Sequence, residues 1–308
     1  MHDPCAADLF ARAGALAQKL PSLHDPEGPR LPESLPPVVD THVHLFPDNV
    51  FDALWRWFGE HGWDVRYPLY APAVLDFLFA RGVEHVVALH YAHRPGMARD
   101  LNRFVAGLAA SDPRITGLAT VLPGEPDAVS VLEEAFDLGL KGVKLHCHVQ
   151  CFAVDDDALQ PLFALCASRG LPMVVHAGRE PKSPAYACDP HLLCSADRVD
   201  RALRDHPDLT LVVPHLGADE FDAYDALLDR HEHLWLDSTM MAADYFAGFD
   251  EAALALVRKR WDRVLYGTDF PNLPYAWDRE VRRLVDLGLP EDRLAAVLGG
   301  NAARVWGL

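Results

Sequence analysis

Two histidines stand two residues apart at the end of an apolar run, in the segment VVDTHVHLFP. On a β-strand, side chains at i and i+2 share a face with their Cα atoms roughly 6.5–7 Å apart. His42 and His44 can therefore converge on one ion at metal–nitrogen bonds of ~2.0–2.1 Å. Asp40 has the same parity and could support them from deeper in the strand. Three more chemistry-bearing residues close apolar runs: His176 in LPMVVHAG, His215 in LTLVVPHLG and Asp269 in RVLYGTDFP. Imidazoles and a carboxylate together suit Zn²⁺, with Mn²⁺ and Fe²⁺ as alternatives that the same donors accept. Buried polar groups need partners, so a shared site explains this recurrence better than independently hydrogen-bonded histidines.

Other residues could contact substrate. The run KGVKLHCHV puts Lys144, His146 and His148 on one parity. A hydrogen-bonded histidine at a loop start is the competing explanation for the latter two. Cys147 and Cys151 flank His148, but no second cysteine pair follows at zinc-knuckle spacing. In ALHYAHRPG, His90 and His93 could edge the same cavity, and Arg94 could hold an anionic group. Arg66 and Arg179 are similar candidates on flanking loops, since the planar guanidinium matches a carboxylate. Asn272 and Tyr275 follow the last strand and are further candidates.

The elements that must position these residues alternate regularly. Eight apolar runs read as strands: VVDTHVHLF, EHVVALHYA, ITGLATVL, KGVKLHCHV, LPMVVHAG, LTLVVPHLG, HLWLDST and RVLYGTDF. Amphipathic segments at 126–138, 156–169, 196–205, 218–230 and 250–259 read as helices between them. Strand–helix alternation predicts a parallel sheet, and eight repeats predict an α/β fold of the (β/α)₈ TIM-barrel type, whose active sites lie at the C-terminal ends of the strands. An open doubly wound sheet would favour a glycine-rich phosphate loop after the first strand, where this chain has His-Val-His-Leu-Phe-Pro. Residues 1–36 are expected to be an N-terminal arm, helical at 7–20 and then proline-rich. Residues 37–308 form the single barrel domain in this reading. A helical insertion after strand 1, at 47–81, is rich in aromatic residues and serves either as a substrate wall or as packing on the barrel.

The formal charge of −17, from 28 basic and 45 acidic residues, argues against nucleic acid and anionic membrane as partners. Six cysteines in 308 residues read as reduced thiols, and the start lacks the basic and apolar regions of a signal peptide. A cytoplasmic protein acting on a small molecule, one that can bear a carboxylate, is expected, and the arm and the aromatic insertion are compatible with a homodimer.

From Val38 to Leu308 the chain resembles the amidohydrolase superfamily, in particular the amidohydrolase-2 branch that includes aminocarboxymuconate-semialdehyde decarboxylase. The carriers are VVDTHVHLFP, GVKLH, LPMVVHAG, VVPHLG, LYGTDFP and GNAARVWGL. The resemblance implies one divalent ion held by His42, His44, His176 and Asp269. His215 and Asp269 would then act on an activated water or on substrate. Two-metal members bridge their ions with a carboxylated lysine, a part Lys144 could take, although it lies two residues before His146 and so deeper. The expected reaction is hydrolysis of an amide, lactone or related C–N or C–O bond by a metal-activated water. The alternatives are non-oxidative decarboxylation of an unsaturated or aromatic acid, and a metal- or ligand-binding barrel without turnover.

Overall fold

The computed structural model describes residues 22–308, and the helix expected at 7–20 lies outside them. Strands β1 (Val39–His44), β2 (His85–Leu89) and β3 (Ile115–Gly117) pair in parallel. So do β4 (Val143–His146), β5 (Met173–His176), β6 (Leu211–Val213), β7 (Leu234–Asp237) and β8 (Val264–Leu265). Parallel bridges Ala119–Val143 and Val43–Phe270 join the two sets at both edges. The backbone bonds Lys144 N to Ala119 O, 2.7 Å, and Thr41 N to Tyr266 O, 3.0 Å, complete these seams. The eight strands thus form one ring, the (β/α)₈ barrel. All six residues of β1 are buried, as expected of parallel strands covered on both faces.

The barrel helices follow from local sequence. In α8 (Ala196–Asp205), Ser195 accepts a hydrogen bond from the Arg198 amide at 3.3 Å, satisfying a free N–H at the helix start. Val199, Ala202 and Leu203, at helical spacing, bury one face against the barrel. The segment expected at 156–169 starts with a short 3₁₀ turn at Asp157–Leu159, capped by Asp156, before α6 (Gln160–Arg169) begins. Gly170, at φ 63°, ends α6 in the left-handed region that glycine adopts at least cost. The insertion after β1 forms two helices, α1 (Asp48–His61) and α2 (Ala71–Ala80).

Val87, Leu118, Val174, Val212, Trp235 and Leu265 form a buried apolar cluster with Ala302 of the closing helix α13 (Asn301–Trp306). One strand step of two residues beyond Val174 and Trp235 come His176 and Asp237. The inward row therefore changes from apolar to polar along the strands, and the chemistry sits above a packed floor.

The described part of the arm lies on the barrel. Leu31 N donates to Arg81 O at 2.7 Å, Trp277 Nε1 to Gly28 O at 3.2 Å, and Arg279 pairs with Asp25 at 3.1 Å. Among the described residues no helix is long and apolar enough to cross a membrane.

Candidate metal centre

His42, His44 and Asp269 meet at the C-terminal ends of β1 and β8. Their ligand atoms all lie within 4.8 Å of one another. His44 Nε2 is 2.8 Å from Asp269 Oδ1, and His42 Nε2 is 3.3 Å from the same oxygen. Asp269 takes φ 76°, unusual outside glycine, and its amide donates to His42 O at 2.9 Å. The backbone is thus bent to aim this carboxylate at the two imidazoles.

His42 Nδ1 stands 2.9 Å from Asp237 Oδ2, and an ionised carboxylate only accepts. The proton of neutral His42 is therefore on Nδ1, leaving a bare lone pair on Nε2. Burial, with Lys144 nearby, pushes His42 down to about 4 against the pull of Asp237 and Asp269, so it stays neutral near pH 7. Two acceptors, His42 Nε2 and Asp269 Oδ1, then face each other. A cation between them resolves the repulsion, and the donors suit a divalent transition ion. His176 Nε2 is likewise buried without a partner, and burial holds that ring well below the usual imidazole range. His176 does not fall within the close group of three. Its ring centroid is 4.5 Å from that of His215 and 4.1 Å from that of His146. The residues present fit a metal ion, with His176 beside the three that converge.

His215 N donates to Asp237 Oδ1 at 3.1 Å, and His215 Nδ1 donates to Thr239 O at 3.0 Å. A carbonyl cannot donate, so neutral His215 carries its proton on Nδ1 and offers the lone pair of Nε2. Asp237 thus orients His42 and the His215 backbone together. Sequence reading missed it; the signal available was an Asp ending the apolar run HLWLD. Asp40 joins β1 to the segment after β8, accepting from Thr268 Oγ1 at 2.6 Å and from the amides of His42 and Thr268 at 3.1 Å.

Above these groups lies a cavity of about 370 Å³. Its walls are aromatic and apolar: Trp57 and Phe58 of α1, Trp63, Tyr91 and Tyr186. His93, His146, His148 and Asn272 also line it, and among the described residues no Lys or Arg does. The insertion after β1 therefore forms a wall, rather than only packing on the barrel. His148 Nε2 donates to Gly178 O at 2.8 Å, joining the ends of β4 and β5.

The cationic residues read from sequence as substrate contacts lie outside the cavity lining. Arg66 pairs with Glu27 of the arm at 3.0 Å and donates to Ser22 O at 3.3 Å, away from the cavity lining. Arg179 is taken up by Asp219 at 2.6 Å and Glu220 at 3.5 Å. Arg94 is exposed and does not line the cavity. Lys144 is fully buried below the histidines, its Nζ lacks a hydrogen-bond partner, and burial pushes it down to about 8 against the pull of Asp237 and Asp269. It does not reach the cavity surface. His90 is also behind the wall, donating to Asn102 Oδ1 at 3.0 Å, and Tyr275 is engaged by Glu280 at 2.9 Å.

A family model described as amidohydrolase matches residues 39–308. No curated protein matches the chain. Among solved structures, the chain is similar to an uncharacterized TIM-barrel protein from Bordetella bronchiseptica, with a TM-score of 0.67 and 22% identity over 88% of this chain and 98% of that one. It is similar to 5-carboxyvanillate decarboxylase from Sphingomonas paucimobilis, with a TM-score of 0.60 and 19% identity over 88% and 99%. It is also similar to 5-carboxyvanillate decarboxylase from Novosphingobium aromaticivorans, complexed with manganese and 4-hydroxy-3-methoxy-5-nitrobenzoic acid, with a TM-score of 0.66 and 18% identity over 92% and 99%.

Proposed function

We propose a reaction for this chain, which belongs to the amidohydrolase family: non-oxidative, metal-dependent decarboxylation of a small aromatic or unsaturated monocarboxylic acid. The observation that carries this reading is the pairing of a His42–His44–Asp269 cluster with aromatic walls to which, among the described residues, no Lys or Arg contributes. With a divalent ion held by the cluster, an acid entering this cavity would find positive charge at the cluster end. Its carboxylate goes there, and its planar body lies against Trp57, Phe58 and Tyr186.

A divalent ion held by His42, His44 and Asp269, with His176 as the adjacent fourth ligand, would supply the positive charge that binds and orients the carboxylate. The family is metal-dependent, and Zn²⁺, Mn²⁺ and Fe²⁺ all suit these donors. Manganese in the Novosphingobium decarboxylase makes Mn²⁺ the first ion to test beside Zn²⁺.

The protein's own groups do the rest. The aromatic walls exclude water, and a concentrated carboxylate charge is costlier in such surroundings than the dispersed charge that forms as carbon dioxide departs. His215 Nε2, left bare by the Nδ1 bond to Thr239, takes a proton from solvent and passes it to the carbon losing its carboxyl group. The carbon–carboxyl bond breaks, its electron pair stays on that carbon, and the proton joins it. Asp237 keeps His42 and the His215 backbone in register throughout. The similar decarboxylases support the reading by analogy.

Hydrolysis of an amide, lactone or related bond is the second reading. It is favoured by the position of Asp269, a carboxylate that lines the cavity 2.8 Å from His44 and 3.3 Å from His42, where it could take a proton from a water bound at the cluster. Metal-loaded protein incubated with aromatic and unsaturated acids, amides and lactones in ¹⁸O-water separates the two. Stoichiometric carbon dioxide with no solvent oxygen in the organic product supports decarboxylation. Products carrying ¹⁸O, without carbon dioxide, overturn it in favour of hydrolysis.

A further inference from the structure

Four thiols lie around His148, and none takes part in the chemistry above. Cys147 and Cys194 are fully buried. Cys151 is exposed and Cys188 partly so. Both of the latter point at one atom: Cys151 Sγ is 3.7 Å from His148 O, and Cys188 Sγ is 3.3 Å from the same oxygen. The two sulfurs therefore share the His148 carbonyl and stand next to each other. Cys151 closes the short helix α5 (Cys147–Gln150) at φ 54°, a left-handed conformation that disfavours every residue with a Cβ. Glycine or asparagine normally fills such a position, yet here it holds a thiol against a second thiol.

We propose that Cys151 and Cys188 are a reversible disulfide site, oxidised by a low-molecular-weight disulfide, that ties together two walls of the active-site cavity. Cys188 follows Ala185, Tyr186 and Ala187, which line the cavity from the loop after β5. Cys151 ends the turn that carries His148 and Val149, which line it from the end of β4. These walls are already tied by His148 Nε2 donating to Gly178 O at 2.8 Å and by the Cys188 thiol on His148 O at 3.3 Å. A bond between the sulfurs adds a covalent tie on the outer side.

The chemistry balances by exchange. The exposed Cys151 thiolate attacks one sulfur of the small disulfide, forms a mixed disulfide and releases one small thiolate. The Cys188 thiolate then attacks the Cys151 sulfur, forms the internal bond and releases the second. Two protein thiols lose two protons and two electrons, and the small disulfide is reduced to two thiols. Burial pushes the Cys188 thiol up, so its attack on the mixed disulfide speeds up as pH rises. The buried Cys147, Cys166 and Cys194 are shielded from the same reagent.

The test uses the full chain carrying Cys5→Ser, equilibrated in mixtures of oxidised and reduced glutathione. Peptide mass spectrometry should find Cys151 linked to Cys188 with a loss of two hydrogens, and two fewer thiols should react with a chromogenic disulfide. Cys188→Ser should stop at glutathione on Cys151. Cys151→Gly, which suits the left-handed backbone and so preserves the fold, should remove the link. Hydrogen exchange over residues 180–189 should slow severalfold in the linked form. A persistent mixed disulfide with no internal link, linkage of Cys188 to Cys194 instead, or unchanged exchange in the linked form would each overturn the proposal. None of these readouts depends on turnover, so their failure leaves the decarboxylation reading to its own test.

Discussion

His42 Nδ1 and Asp237 Oδ2 lie 2.9 Å apart although 195 residues separate them in the chain. This bond fixes which nitrogen of His42 carries the proton, and therefore which one is free to bind a cation. Partners of this kind commonly account for 10–100-fold in metal affinity. Asp237→Asn should weaken metal binding by roughly that factor while leaving the fold intact, since the side-chain oxygen can still accept from the amides of His215 and Thr239. Chelator competition on the purified variant measures it, and an unchanged affinity would show that Asp237 does not orient the ligand.

Gly267 sits where the barrel closes beside the same histidine. A Cβ there would stand 2.5 Å from Thr239 Oγ1 and 2.8 Å from His42 Cβ, closer than real Cβ atoms approach. Gly267→Ala must therefore displace His42 or push β8 away from it. The expected result is a loss of metal affinity of at least tenfold and a destabilisation of roughly 1–3 kcal/mol from overpacking. Metal content after gel filtration and a urea melt read the two effects separately.

Arg66 and Arg179 bear on substrate only if they reach it, and both are engaged elsewhere. Arg66→Ala should release the contacts of Glu27 and the Ser22 carbonyl and cost about 1 kcal/mol of stability, the scale of a partly exposed ion pair. Arg179→Ala should behave similarly through Asp219 and Glu220. KM for any acid turned over should change less than twofold in either variant. A tenfold rise in KM with unaltered stability would return that arginine to the cavity.

These arginines also mark where sequence reading stops. His42, His44, His176, His215 and Asp269 were legible because each ends an apolar run, and a polar side chain there needs a partner that the barrel ring can provide. Eight such runs were enough to recognise the fold, even though β3 pairs over only Ile115–Gly117 and its neighbour Ala119 makes the seam to β4. An arginine on a loop carries no comparable constraint. Whether Arg66 faces substrate or Glu27 depends on how the arm lies on the barrel, and that is decided by contacts across the whole chain. Asp237 was hidden for another reason: one carboxylate after WL looks like an ordinary strand end until His42 is seen opposite it. Lys144 had the right parity but the wrong depth, and parity alone does not report depth.

His90 gives a pH dependence that does not involve the metal ligands directly. It is fully buried, donates to Asn102, and is pushed down by burial to about 4. Its folded-state value lies below the unfolded value of about 6.5. The stability contributed by neutral His90 is therefore fully present above pH 6.5 and is lost as pH falls from there toward 4, because the unfolded chain binds the extra proton. Within that window the slope should be up to ~1.4 kcal/mol per pH unit for this one group. His90→Gln should retain the hydrogen bond in part and flatten the pH profile of the urea midpoint between pH 4 and 6.5. A profile parallel to that of the parent protein would mean that His90 is already protonated in the fold.

Metal removal tests the confrontation of His42 Nε2 with Asp269 Oδ1, 3.3 Å apart. Without a cation these acceptors repel or must capture a proton, and either outcome destabilises the closed ring of strands that carries them. A ligand that binds only the folded chain adds about 2.7 kcal/mol of stability at a hundred times its dissociation constant. At roughly 2–4 °C per kcal/mol for domains approaching this size, adding Mn²⁺ or Zn²⁺ to chelator-treated protein should raise the melting temperature by about 5–10 °C. His42→Ala and Asp269→Ala should lose most of that gain, because each removes one of the opposed atoms together with a ligand. Asp269→Ala should also narrow the stability gap in the metal-free state, since deleting the carboxylate removes the repulsion that the ion would otherwise relieve. Calorimetry on the three proteins with and without metal reads all of this at once, and a melting temperature indifferent to both ions would remove the metal centre from the account.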